Sequence, residues 1–193
     1  MKFVTKGSLG AIILGAALFA TPAWSGTVGE EVPNLGTVIY NEGKVELIGG
    51  KGPDVVTFGV GAFDFAKTDP ASVEGRIEYR WGQKLAVFGP AVGVLANSDG
   101  GVFGYVGTYL DFRIAPIVFT PSLGFGYWHE GDSKDLGGNF PFVHAAIDMS
   151  YAFESGARLG VKFAHISNAY THSSNPGQES VLLTFSLPLG NMF

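Results

Sequence analysis

The sequence predicts an all-β chain folded as an eight-stranded antiparallel transmembrane β-barrel of the outer-membrane type. Three observations predict it: an export-type leader, segments of alternating hydrophobicity divided by short and long connectors in turn, and a low charge content. Of 193 residues, 46% are hydrophobic and 15% are charged, whereas soluble domains carry about 25% charge. Something other than water is expected to cover part of the surface.

The leader comes first. Residues 1–25 begin with Lys2 and Lys6, continue as an apolar run from Leu9 to Ala20, and end in Ala23-Trp24-Ser25 before Gly26. A charged start, a short apolar core and small residues at the end have the layout of a secretory signal peptide, with cleavage expected after Ser25 or Ala23. The apolar run falls short of the roughly 20 residues a membrane-spanning helix requires. The formal charge is −5, or −7 without Lys2 and Lys6, which excludes a basic nucleic-acid footprint. The absence of cysteine removes disulfides, a thiol nucleophile, thiolate zinc sites and iron–sulfur clusters.

The strands are expected near 55–66, 72–82, 84–96, 102–112, 114–128, 141–153, 157–168 and 179–191, so that the barrel occupies 55–193. Val73 to Trp81 is the clearest segment. Val73, Ile77, Tyr79 and Trp81 share one parity, and Glu74, Arg76, Glu78 and Arg80 share the other, a period of two that no helix produces. The connectors at 67–71, 97–101, 129–139 and 169–178 are longer or more polar than Gly82-Gln83, Arg113-Ile114 and Glu154-Ser155-Gly156. Long loops therefore collect at one end of the barrel and short turns at the other, as in outer-membrane barrels.

Parity by itself leaves the orientation open, because a soluble barrel turns its apolar face inward and a membrane barrel turns it outward. The leader, the low charge and the last strand favour the membrane. That strand carries Val181, Leu183, Phe185, Leu187 and Leu189 and runs on to Phe193, an ending similar to the assembly signal of outer-membrane barrels. Strands four and five, with Phe103, Tyr105 and Tyr109 opposite Val106 and Leu110, are apolar on both faces. Glu74, Arg76, Glu78 and Arg80 are expected to pair inside a barrel too narrow for a channel, and His144 to join Asp148 there. Residues 26–54 read either as a small hairpin, with Val38-Ile39-Tyr40 and Val45 to Ile48 flanking Asn41-Glu42-Gly43, or as a loose periplasmic lead-in.

Three polar residues break the pattern. His165 and Ser167 follow Leu159, Val161 and Phe163 in the apolar parity of one strand, and Glu179 precedes Val181, Leu183 and Phe185 in the apolar parity of the next. Paired across a hairpin, same-parity side chains lie about 5 Å apart, so a hydroxyl, an imidazole and a carboxylate would gather on the lipid face. A carboxylate there persists most easily with a hydrogen-bonded partner. Glu179 accepting from one ring nitrogen while the other takes the proton of Ser167 is the arrangement for nucleophilic acyl transfer. Asn168 and Asn175 offer amides in the same hairpin to an oxyanion. The alternative is a polar hairpin above the bilayer, with Asn175-Pro176-Gly177 as its turn.

The window His165-Ile166-Ser167-Asn168-Ala169, followed by Asn175-Pro176-Gly177-Gln178-Glu179 and a closing apolar strand, resembles the signature of the lipid A 3-O-deacylase (PagL-type) family. The resemblance implies an outer-membrane serine esterase acting on the 3-hydroxyacyl ester at position 3 of lipid A. It assigns His165 as general base, Ser167 as nucleophile, Glu179 as the residue orienting the histidine, and Asn168 and Asn175 to oxyanion or supporting roles. Lipid A or lipopolysaccharide would be the substrate, the outer membrane the setting, and no metal or organic cofactor would be needed; a homodimer is compatible with the sequence. The extended lead-in departs from the compact family pattern. A non-enzymatic adhesive or structural barrel is the first rival reading, and a secreted soluble barrel holding an apolar ligand is the second. His129, Glu130, Asp132 and Asp135 form an acidic loop that reads as solvated more readily than as a cation site, and His172 reads as a surface residue.

Overall fold

The computed structural model describes residues 26–66, 72–140 and 142–190. The expected leader at 1–25, the 67–71 connector and Phe193 lie outside the described residues. The strands are β1 (Glu31–Val32), β2 (Gly36–Glu42), β3 (Val45–Gly49), β4 (Val55–Phe63), β5 (Ser72–Arg80), β6 (Gly89–Asn97), β7 (Val102–Tyr109), β8 (Asp111–Ile114), β9 (Ile117–His129), β10 (Phe142–Ala152), β11 (Arg158–Ser167) and β12 (Gln178–Pro188). Eight of them, β4 to β7 and β9 to β12, pair in antiparallel succession. β12 then returns to β4, from Ser180 opposite Phe63 to Pro188 opposite Val55, and the barrel is closed. Closure leaves no open edge in the wall, the condition for strands to lie in hydrocarbon.

Alternation on the closed wall settles which face meets which medium. Val73, Ile77, Val94, Val106, Phe125, Met149, Leu159, Leu183 and Phe185 are exposed, while Glu74, Arg76, Glu78, Arg80, Lys162 and Asp148 are buried. A soluble barrel would show the reverse, so the wall is a lipid-facing surface. The strands that are apolar on both faces orient by size: the rings of Phe103, Tyr105 and Tyr109 fill the interior, and Val102 and Val106 face out.

Charged side chains fill the lumen. Arg76 Nη2 lies 2.7 Å from Glu74 Oε1 and Arg80 Nε lies 2.7 Å from Glu78 Oε1. Lys162 Nζ reaches Glu78 Oε1 at 3.1 Å from across the barrel, and Asp111 receives Lys84 at 2.8 Å. His144 is buried as expected, but its partner differs: Nε2 accepts from Arg76 Nη1 at 2.7 Å and the ring stacks on Tyr105 at 4.2 Å, whereas no hydrogen bond joins it to Asp148. The reason is register, because His144 lies level with the Arg76–Tyr105 layer. At the long-loop end the lumen is closed by Phe63, Leu95, Phe103, Trp128, Leu136, Phe142 and Ile166.

Two strand boundaries depart from the sequence pattern. The third barrel strand begins at Gly89 and not near 84, because residues 81–88 turn outward, with Leu85 and Phe88 exchanging hydrogen bonds at 2.9 and 3.0 Å. Lys84 N donates to Gly50 O at 3.0 Å and its ammonium is held by Asp111, which draws this segment out of the ladder. The expected 102–112 strand divides at Leu110 into β7 and β8, since β8 takes a second partner, β3, on its far edge. The turn that follows falls at Ala115-Pro116 instead of Arg113-Ile114. Through β8 the barrel carries a small antiparallel sheet, β1–β2–β3, whose β2–β3 hairpin turns at Gly43 with φ +64°.

Glu78 holds two buried cations, so its loss leaves both uncompensated. Glu78→Ala is expected to destabilise the barrel by about 3–5 kcal/mol, measured by urea unfolding of the chain refolded into lipid vesicles.

Candidate active site

β11 runs without a bulge to Ser167, and its pairing with β12 sets His165 directly opposite Glu179. Both side chains are on the outer wall, 44% and 45% exposed, with Nδ1 3.2 Å from Glu179 Oε1. Glu179 holds this position because it begins the outward parity of β12, one step above Val181 and Leu183. An Nδ1–H donated to the carboxylate leaves Nε2 as a base.

Ser167 is two residues further along β11, at its last position, opposite Val143, and only 8% exposed. Its hydroxyl makes no hydrogen bond to His165 in the structure. The chain then turns sharply, with Ala169 and Tyr170 in succession at φ +50° and +61°. Two left-handed non-glycine residues cost about 1–2 kcal/mol each, and Asn168 stabilises the turn that holds them. Its Nδ2 donates to Ser174 O at 2.7 Å and Leu136 O at 3.0 Å, its Oδ1 accepts from Tyr170 N at 2.9 Å, and its carbonyl accepts from Thr171 N at 2.9 Å. Asn168 is fully buried. Asn175 turns its Oδ1 to the backbone N–H of Asn168 at 3.1 Å, which leaves its own Nδ2 without a partner among the described residues.

Gly177 was legible only as part of a turn, yet it fits the histidine ring closely. It has φ +52°, and a Cβ at this position would lie 3.0 Å from His165 Cε1. Its carbonyl accepts from Lys134, which also reaches Asp64 at 3.2 Å and so joins three outer segments around the imidazole. No local sequence signal reports this, since Lys134 sits in what reads as a solvated acidic loop. Beside the pair, the wall opens into a shallow apolar cleft of about 350 Å³ between Phe65, Ile147 and Phe163, floored by Ala145, Ala164 and Ser122.

The other polar residues do not join this site. His172 lies in the outer loop, 3.1 Å from Thr171 Oγ1, and Asp135 caps Gly137 N at 2.7 Å. Among the described residues no three His, Asp or Glu side chains converge as a metal site.

A closed barrel with a charged lumen and an apolar wall defines a transmembrane β-barrel, and this one carries a His–Glu pair on its wall. The chain belongs to the lipid A 3-O-deacylase (PagL) family, whose model matches residues 71–188; it is an outer-membrane hydrolase. The fold is similar to that in the crystal structure of the outer membrane enzyme PagL, with TM-score 0.57 and 18% identity over 70% of this chain and 99% of the other. It is also similar to a de novo designed transmembrane β-barrel, with TM-score 0.51 and 17% identity over 70% and 94% of the two chains. No protein of curated function matches the chain.

Because a Cβ at Gly177 would press on His165 Cε1 at 3.0 Å and strain a backbone at φ +52°, Gly177→Ala is expected to shift the His165 ring by a few tenths of an ångström. Turnover of lipid A should fall roughly tenfold to a hundredfold, in the range that small misplacements of reacting groups produce. Product formation by mass spectrometry, with folding checked by circular dichroism, reads this out.

Proposed function

We propose that the chain hydrolyses the ester-linked 3-hydroxyacyl chain at position 3 of lipid A with a Ser167–His165–Glu179 triad on the lipid-facing exterior of the barrel. The observation that carries the reading is the half-exposed His165–Glu179 pair, held at 3.2 Å on a wall otherwise built of apolar side chains. A carboxylate facing hydrocarbon is expensive unless it is partnered, and an acceptor on Nδ1 fixes the tautomer in which Nε2 can accept a proton.

His165 Nε2 takes the proton of Ser167 as Oγ attacks the ester carbonyl, and the negative charge passes to the carbonyl oxygen. Asn175 Nδ2, which has no other described acceptor, is the amide available to that oxygen. Asn168 has its side-chain donors committed to Leu136 and Ser174 and acts by shaping the turn after the nucleophile. Collapse of the intermediate breaks the bond to the sugar oxygen, which leaves with the proton from His165. Water, deprotonated by His165, then releases the hydroxy fatty acid and restores Ser167. Glu179 stays ionised and stabilises the imidazolium.

The position of the site explains how a substrate in the membrane is reached. The cleft of Phe65, Ile147 and Phe163 runs along the wall beside the pair, so an acyl chain can lie in it while its ester stays level with the triad. The substrate need not leave its leaflet.

Lipid A from cells expressing the wild-type chain is expected to lose one hydroxyacyl mass. Ser167→Ala and His165→Asn should abolish that loss, and Glu179→Ala should slow it on the order of 10⁴-fold, as removal of the third triad member does elsewhere. Deacylation by Ser167→Ala at the wild-type rate would reject the mechanism.

A further inference from the structure

The β1–β3 sheet precedes the segment that the family model matches, and neither the barrel nor the site accounts for it. One face of it is occupied. Val32, Leu35, Val38 and Ile48 pack with Val118 from the barrel, and the buried Glu46 accepts from Arg113 and from Gly26 N. On the other face Ile39, Tyr40 and Val45 are exposed and Leu47 is half-buried. A flap bathed in water would carry polar side chains at such positions.

Register shows what this second face belongs to. Tyr40 lies opposite Leu47, Leu47 opposite Phe112, and Phe112 opposite Phe119. The row continues without a break through Met149, Val161 and Leu183 on the barrel. The outer face of the small sheet is therefore the same sheet surface as the lipid-facing wall. It joins the wall at the short-turn end, where the 81–88 turn sets Leu85 and Phe88 outward and Gly50 N donates to Ala86 O at 3.3 Å. On this face Glu42 and Lys44 lie at the hairpin tip and Glu31 and Thr37, hydrogen-bonded at 2.7 Å, lie at the opposite end, so that Tyr40, Val45 and Leu47 form an apolar band between them; the Tyr40 hydroxyl turns to Glu42 at 3.0 Å, the posture of an interfacial tyrosine.

We propose that the β1–β3 sheet is a membrane-seated foot: the band bearing Tyr40, Val45 and Leu47 rests against the acyl chains of the leaflet at the short-turn end of the barrel, and its hairpin tip and Glu31–Thr37 corner reach water. The partner is the lipid surface itself. The continuous row selects lipid as the occupant, since the same row meets lipid on the barrel. The inference is independent of the deacylase reading and is tested without any activity measurement.

The chain has no cysteine, so single-cysteine variants label at one site. Tyr40→Cys, Val45→Cys and Leu47→Cys, each carrying a nitroxide, are reconstituted in phosphatidylethanolamine–phosphatidylglycerol vesicles, and accessibility to oxygen and to a water-soluble nickel chelate is measured by power saturation. Leu159→Cys on the wall and Glu42→Cys at the tip are the references. The expected result is an oxygen-to-nickel ratio at Tyr40 and Val45 several-fold above that at Glu42 and close to that at Leu159. A ratio matching Glu42 would overturn the proposal. So would spin–spin broadening at Tyr40 that disappears on dilution with unlabelled chain, because a second copy would then cover the face. Should the Leu47 variant fail to fold, Tyr40 and Val45 carry the test, since both are already exposed.

Discussion

Backbone N–H and C=O groups cannot be left unpaired in hydrocarbon, and every other property of this structure follows from satisfying them through a closed ladder. The pairing of β12 with β4 removes the last free edge of the wall. Once the ring is closed, period two has only two destinations, lipid and lumen, and each side chain is assigned to one of them. Eight strands enclose a space that side chains must fill, which is why Glu74, Arg76, Glu78, Arg80 and Lys162 form ion pairs there. The apolar wall and the charged interior are consequences of the same closure.

The same geometry places a hydrogen-bonded His–Glu pair on the outside. Cross-strand register brings His165 and Glu179 face to face. Their exposure differs sharply from that of Ser167 two residues on, where the strand ends and the left-handed turn at Ala169 and Tyr170 begins. The site thus joins a rigid half, set by the β11–β12 ladder, to a half shaped by loop hydrogen bonds from Asn168, Asn175 and Lys134. Membership of a lipid A deacylase family fits a site of this kind, because the substrate is itself a component of the leaflet that bathes the wall.

The small sheet shows how a barrel strand can serve two sheets. β8 keeps its ladder to β9 while its far edge takes β3, so the wall grows sideways at one end without opening the ring. Glu46 and Arg113 pair across this junction, and Lys84 reaches in from the neighbouring turn to Asp111. The extension is therefore built into the polar interior as well as into the wall.

The alternation of Val73 to Trp81 determined, from sequence alone, that the chain forms strands with one charged and one apolar face, because period two is a local property of the backbone. The spacing of connectors determined the strand number and the two unlike ends for the same reason. The parity of His165 and Glu179 already implied their meeting on one face, since antiparallel register follows from hairpin connection. Tertiary structure alone decided the rest, where the partners are distant in sequence: His144 to Arg76 instead of Asp148, the division of 102–114 by the β3 edge, and the displacement of 84–88 by Gly50 and Asp111. Gly177 belongs to this second group, because its closeness to His165 depends on how a loop folds back over a strand. A local pattern states which way a side chain points, and only the assembled fold states what it meets there.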